Sequence, residues 1–468
     1  MFRHLARRLK GSAIGLALVA FAGIGLVHSS AARAETLQDA LIEAYETNPQ
    51  LLSERAHLRS VDEDVPQALA NWRPTIQLTS SQGYQSSANS GPPPLLFPPF
   101  QNLLPSIVDV NIAQPIYRGG RTVAQTAQAE KTVEAERARL EATEESVFYS
   151  VVQAYLDVVR DQATLGLSVN NEQLLRKQLE STEAQFQVGT LTRTDVAQAQ
   201  AQLASAVADR NQAEGNLQVS RANYERAVGH LPPKLAPTRL RPVLPTARDQ
   251  ALTLAANKNP NVIAALFTED AERDQVKVIR GQLLPTISIV GDYQRLDSTQ
   301  FAHDLAVNSS VVARLTMPLY EGGAVYSQVR QAEQTIGQLK GQTDDARRAA
   351  VQSATQAWET VASDRARQNA LIETVKAAGI AFEGTQAEQR VGTRTILDVL
   401  IEEQALFSDR VTLVGTEHDL ALAEFNLAEQ IGRLTAADLK LKVKLYNVDT
   451  HYREVRDKWF GFGHDSTH

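Results

Sequence analysis

Val391-Gly392-Thr393-Arg394-Thr395-Ile396-Leu397-Asp398-Val399-Leu400 decides how this chain is read, because most of it occurs twice. Val188-Gly189-Thr190, then Thr192, then Asp195-Val196, present the same residues 203 positions earlier. Glycine after a helix adopts left-handed backbone angles cheaply and closes it. A threonine with an acid three residues later forms a capping box that opens the next helix, with Asp in the usual Glu place. Each copy therefore predicts a helix that ends, a tight turn, and a helix that returns.

The text leading into both turns is long and uninterrupted. Gly120 to Gly189 holds no proline and one interior glycine, Gly166. Phe148, Val151, Tyr155 and Val158 fall at the three- and four-residue spacings of a helix. Gly323 to Gly392 also lacks proline, though Gly337, Gly341, Gly379 and Gly384 interrupt it. Helices are expected at about 121–188 and 192–229, and again at about 324–391 and 395–432. A rod of nearly 70 residues spans roughly 100 Å. No compact domain needs two of these; a tube crossing an aqueous compartment does.

Further outward, the repetition continues in order. Asn48-Pro49 returns as Asn259-Pro260, and Pro74-Thr75-Ile76 as Pro285-Thr286-Ile287, 211 residues on. Pro115-Ile116-Tyr117-Arg118-Gly119-Gly120 returns as Pro318-Leu319-Tyr320-Glu321-Gly322-Gly323, 203 residues on. The offset changes once, so one loop is shorter in the second copy. Gly229 and Gly432 close the copies. The expected organisation is a signal peptide at 1–34, a first repeat at 35–230, a linker at 231–245, a second repeat at 246–434 and a C-terminal segment at 435–468. Five prolines bar a long helix from the linker.

Between the Pro-Thr-Ile and Pro-x-Tyr motifs the period falls to two. Ile76 and Leu78 alternate with Gln77 and Thr79, and Val108, Val110 and Ile112 with Asp109 and Asn111. Strands are expected at about 74–86, 107–117, 285–296 and 309–320, with an exposed loop over Gly91 to Pro105. One apolar and one polar face suit a wall between lipid and water. A half-buried sheet on a soluble core remains the competing account. Four strands cannot close a barrel alone, since one-chain bacterial barrels need at least about eight. Either the strands lie outside the membrane, or several chains share one barrel.

The ends and the composition narrow the function. Arg3, Arg7, Arg8 and Lys10 precede an apolar run, Ala13 to Val27, and Ala32-Arg33-Ala34 supplies a cleavage site, as in an exported chain. Its removal takes five positive charges with it, from a net −7 to −12. That balance argues against a nucleic-acid partner. The chain has no cysteine, so disulfides, thiolate metal sites and lipidation of the mature end are excluded. No phosphate loop, HExxH or GxSxG is present, and no cofactor or metal is expected. Glu402-Glu403 reads as a solvated face, and His464 with His468 as a chance pairing. The tail from Tyr452, with Trp459 and Phe460, allows either a docked or a disordered end. Beyond capping, Asp195 and Asp398 in a symmetric assembly would form rings of like charge, which select cations.

The signal segment, duplicated copies, paired giant helices and VGT-x-T-x-x-D-V turns together resemble the TolC family of outer-membrane efflux and secretion channels. The resemblance covers nearly the whole mature chain. It implies a mainly α fold with a short β-barrel part: a homotrimer sharing one twelve-stranded transmembrane barrel above a periplasmic helical tunnel. It implies no reaction, and two partners, a periplasmic adaptor and an inner-membrane transporter of ABC or RND type. For the site it implies that Arg394 latches against Thr194 and Asp195 of a neighbouring subunit. Asp398 would ring the constriction, and the tips Gly189, Thr190, Gly392 and Thr393 would meet the adaptor. Two departures stand out: Ile401 replaces a second constriction acid and Gln389 a gate tyrosine, leaving a less acidic gate unless Glu402 compensates. A structural coiled-coil protein of the envelope is the alternative.

Overall fold

The computed structural model describes residues 34–88 and 100–463. Residues 1–33 of the expected signal peptide, residues 91–99 of the Gly91 to Pro105 loop and the His464–His468 pair lie outside them. Three short helices, α1 (Leu37–Thr47), α2 (Pro49–Asp62) and α3 (Asp64–Ala70), lead into strand β1 (Thr75–Gln82). A small hairpin, β2 (Gln85–Ala88) and β3 (Phe100–Leu103), precedes β4 (Ser106–Arg118). Then come α4 (Arg121–Gln187) and α5 (Arg193–Val228). The second copy follows as α6 (Arg248–Lys258), α7 (Pro260–Arg280), β5 (Thr286–Asp297), β6 (Leu305–Thr316), α8 (Ala324–Arg390) and α9 (Ile396–Gln430). A last helix, α10 (Val448–Val455), lies in the C-terminal segment.

The strand boundaries correct the sequence expectation in three places. The strand expected over 74–86 stops at Gln82, and the hairpin β2–β3 occupies part of what reads as loop. Proline content hid that hairpin. The strand expected over 309–320 runs Leu305–Thr316 and ends before Pro318. Proline has no N–H to give a ladder. In the first copy the equivalent Pro115 stays inside β4 because the register shifts between Pro115 and Tyr117, a bulge that absorbs it. The offset change is explained too: β5 and β6 are joined only by a turn in which Asp304 takes the N–H groups of Thr299 (2.8 Å) and Gln300 (3.1 Å).

The main sheet is antiparallel, in the order β1-β4-β5-β6. Its register aligns residues of one character across all four strands. Gln77, Asn111, Asp292 and Ser310 form one row, and Thr79, Asp109, Gln294 and Asn308 another. Next to the first of these, on the opposite face, run Ile76, Ile112, Gly291 and Val311. Both edge strands, β1 and β6, are exposed at every residue.

Each helical copy is anchored at its Asn-Pro corner. The Asn48 side chain caps α2 by accepting from Gln50 N (2.9 Å), while its amide donates to Ala227 O at the end of α5 (3.1 Å). Asn259 does the same for α7, accepting from Asn261 N (3.0 Å) and donating to Gln430 O at the end of α9 (3.1 Å). Proline at the first helical position suits both starts. The asparagines thus tie the entry of each copy to its exit. The main core lies on α4, where Phe148, Val151, Val152 and Tyr155 pack with Leu41, Leu51, Leu58, Tyr224 and Phe425. The second copy's core is smaller and alanine-rich, with Ala251, Ala255, Ala354 and Ala357 around Leu427 and Ile431.

The C-terminal segment docks. Glu145 and Glu144 of α4 accept the N–H groups of Leu434 (2.9 Å) and Ala436 (2.7 Å). His451 meets Asp62 at 3.0 Å, and Arg456 meets Glu130 at 3.2 Å. Replacing Asn259 by Ala removes a cap and orphans the Gln430 carbonyl. We expect a loss of about 1–2 kcal/mol in unfolding free energy, read by denaturant titration of the detergent-solubilised protein.

Candidate functional site

Both turns are built from hydrogen bonds within the chain. Gly189 and Gly392 take φ of 80° and 84°, in the left-handed region. The N–H and hydroxyl of Thr190 both reach Gln185 O (3.0 and 2.9 Å), and those of Thr393 both reach Glu388 O (3.0 and 2.9 Å). These bonds satisfy carbonyls that the end of a helix leaves free. The return helices begin on capping boxes. Asp195 Oδ2 accepts from Thr192 N (2.8 Å) and Thr192 Oγ1 (2.7 Å), while Thr192 Oγ1 accepts from Asp195 N (3.3 Å). Asp398 repeats this with Thr395 at 2.9, 2.8 and 3.2 Å.

Those bonds set the charge. The hydroxyl and then the N–H of Thr192 hold the Asp195 carboxyl below the usual range. The N–H and then the hydroxyl of Thr395 lower that of Asp398, with Arg394 adding a little. Both acids stay ionised at neutral pH and below. The two tips lie side by side, since Leu191 of the first turn packs on a cluster of Leu175, Ala206, Ile396 and Leu400. Thr194, Thr190 and Thr393 are exposed on the tips.

Two charged residues here were not legible in the sequence. Arg394 turns back within its own tip, its Nε 3.1 Å from Glu388 Oε2. Glu388 lies six residues earlier across a turn, at no periodic spacing that would single it out. Within the subunit, Arg394 is brought to neither Thr194 nor Asp195. The second residue corrects an expectation. Glu403, read as half of a solvated pair, is only 5 % exposed, and its Oε1 has no hydrogen-bond partner among the described residues. Burial pushes its carboxyl up to about 7. Glu402 beside it is half-buried, and Ile401, one turn beyond Asp398, is 55 % exposed.

A family profile described as outer membrane efflux protein matches residues 40–230 and again 251–433. The chain belongs to the outer membrane efflux protein family. The break in the match falls over the proline-rich linker, and each matched part carries one Asn-Pro corner and one VGT turn. Similar proteins include the outer membrane efflux protein BepC of Brucella suis, 34 % identical over 433 residues, 92 % of either chain. Another is the outer membrane protein TolC of Vibrio cholerae, 28 % identical over 91 % of this chain and 96 % of that one. Among solved structures, the CmeC outer membrane channel of Campylobacter jejuni shares the fold with a TM-score of 0.76. It is 15 % identical and covers 90 % of this chain and 89 % of its own. This is an outer-membrane protein of the TolC type, a transport component.

Glu403 gives a pH test of the tip. Its folded value lies above the ordinary 4.5. Between about 4.5 and 7 the folded chain therefore keeps a proton that the unfolded chain has lost. Stability falls as pH rises through that window and levels off above it. Glu403→Gln removes the slope. We expect near parity with wild type at pH 4 and a gain of up to about 3 kcal/mol at pH 8 by denaturant titration. The same offset at both pH values would show that burial does not govern this carboxyl.

Proposed function

We propose that three copies of this chain close one twelve-stranded barrel and continue into a periplasmic tunnel. This trimer is the passive exit duct of an efflux or protein-secretion assembly. The observation that carries the reading is the sheet with two fully exposed edges, one apolar face and one polar face. Unpaired strand edges cannot survive in hydrocarbon. No helix among the described residues is long and apolar enough to cross a membrane. Pairing β6 of one subunit with β1 of the next satisfies both edges and puts the Asp292 and Asp109 rows on the water-filled side.

Helices of 67 residues then carry the duct roughly 100 Å from the membrane. The tips become its far mouth. Three Asp398 carboxylates, held ionised by their capping bonds, form an acidic ring, and Asp195 stands in the adjoining turn. Arg394 is the latch: exchanging Glu388 for Thr194 and Asp195 of a neighbour closes the mouth, and returning to Glu388 frees it. The backbone corners at Gly189, Thr190, Gly392 and Thr393 offer exposed tips to a periplasmic adaptor. An ABC or RND transporter in the inner membrane supplies the energy. Cargo is selected mainly there, by the pump that loads the duct.

The test is single-channel recording on the mature protein in planar bilayers, with oligomeric mass measured in the same detergent. A trimer giving small, cation-selective currents blocked by divalent ions is expected. A monomer without currents would leave an envelope scaffold as the function. Ile401→Asp adds a second acid one turn from Asp398. It should strengthen divalent block several-fold, and an unchanged block would place position 401 away from the constriction.

A further inference from the structure

The end of the chain carries an aromatic cluster that the duct does not use. Trp459 is 64 %, Phe460 89 % and Phe462 100 % exposed. Such exposure normally marks a loose end, yet this tail is clamped. His451 is paired with Asp62, Asp449 with Arg137 at 2.8 Å, and Arg456 with Glu130. Arg137 also lies over the Tyr452 ring at 5.3 Å. All these partners belong to α2 and α4, so the tail's polar side is consumed against the chain. The aromatic side faces outward.

The position is also fixed. Arg73, two residues before β1, donates through Nη1 to Lys458 O at 2.6 Å and lies 5.0 Å from the Trp459 ring centre. Next to it, the Trp72 carbonyl accepts from Gln114 of β4 at 2.9 Å. The cluster is therefore level with the place where the strands begin. Trp72 and Tyr117, both partly exposed, stand at the same level. Aromatic rings beside Lys and Arg are the composition of a membrane–water boundary. There the amphipathic rings sit among headgroups and the cations meet phosphate.

We infer that the C-terminal segment Lys458–Phe462 is an interfacial anchor that docks on the periplasmic leaflet of the outer membrane, with Trp459, Phe460 and Phe462 among the lipid headgroups. This rests on the barrel reading above. The chain has no cysteine to carry a lipid. The tail supplies by partition what an acyl chain would supply covalently. Glu63 and Glu454, which line the same groove, orient the segment rather than bind lipid, since like-charged phosphates repel them.

The experiment compares the full mature protein with its Trp459→Phe variant in vesicles of phosphatidylethanolamine and phosphatidylglycerol. Some of the lipids are brominated near the headgroup, and conductance is recorded from the same preparations. Brominated lipid should quench wild-type tryptophan fluorescence about twofold more than that of the variant, which keeps Trp72 at the boundary but lacks the Trp459 indole. Conducting protein in which both forms quench alike overturns the anchor and leaves the barrel standing. In that case iodide quenching of Trp459 places it in water, and shielding from both quenchers places it against a neighbouring subunit. Failure to insert or conduct overturns the barrel reading and the anchor with it.

Discussion

A four-stranded antiparallel sheet has two edges, and the satisfaction of those edges constrains everything else in this protein. Backbone N–H and C=O groups left bare in hydrocarbon cost several kcal/mol each. An open sheet must therefore stay in water or meet other chains. The register suits a boundary, because two polar rows run across all four strands and the rows on the opposite face are mostly apolar. A core-facing sheet would hold its apolar row against helices. Here Ile76, Leu78 and Val311 are about 70 % exposed or more among the described residues. Family membership and the sheet edges point the same way from independent grounds.

The helical part solves a different problem, holding long rods in register. The ends of each copy are pinned at the Asn-Pro corners, and buried charge joins the copies between them. His418 of α9 lies 3.0 Å from Asp157 of α4 and 3.0 Å from Asp419. Burial pulls its imidazolium down, but the two carboxylates outweigh that and the net shift is upward. Within the second copy, Glu424 is held by Arg365 from α8 (3.0 Å) and is tied to the linker by Arg241 (2.7 Å). Such pairs add little net stability, but breaking one strands a buried charge, so they fix which rod lies against which.

Legibility in the sequence followed the range of the interactions. The turns were readable because a glycine, a threonine three residues on and an acid three residues beyond that contain the whole geometry. The long helices were readable from the absence of proline, and interior glycines such as Gly379 did not break α8. The fates of Pro115 and Pro318 were not readable, since a bulge in one strand and an early stop in the other depend on the partner strand. The choice between Glu402 and Glu403 failed for a similar reason. Which of two adjacent acids is buried depends on the rotation of α9 against its neighbours, and charge alone does not encode it. The docked tail needed contacts with residues some 300 to 400 positions away, such as Asp62 and Glu130.

Duplication does not make the copies equivalent, and the difference indicates how subunits meet. Helices α4 and α8 have the same length, yet α4 has twenty-three buried residues and α8 has seven. The short helices α1, α2 and α3 and the C-terminal segment all gather on α4, while α8 is left with small residues and long exposed stretches. The exposed edge β6 leads directly into α8, and the other edge, β1, follows α3 of the first copy. In a closed ring the bare side of the second copy therefore faces the first copy of the next subunit, in the sheet and in the helices alike. In the trimer proposed above, one heterologous contact, repeated three times, would close both the strand ladder and the helical wall.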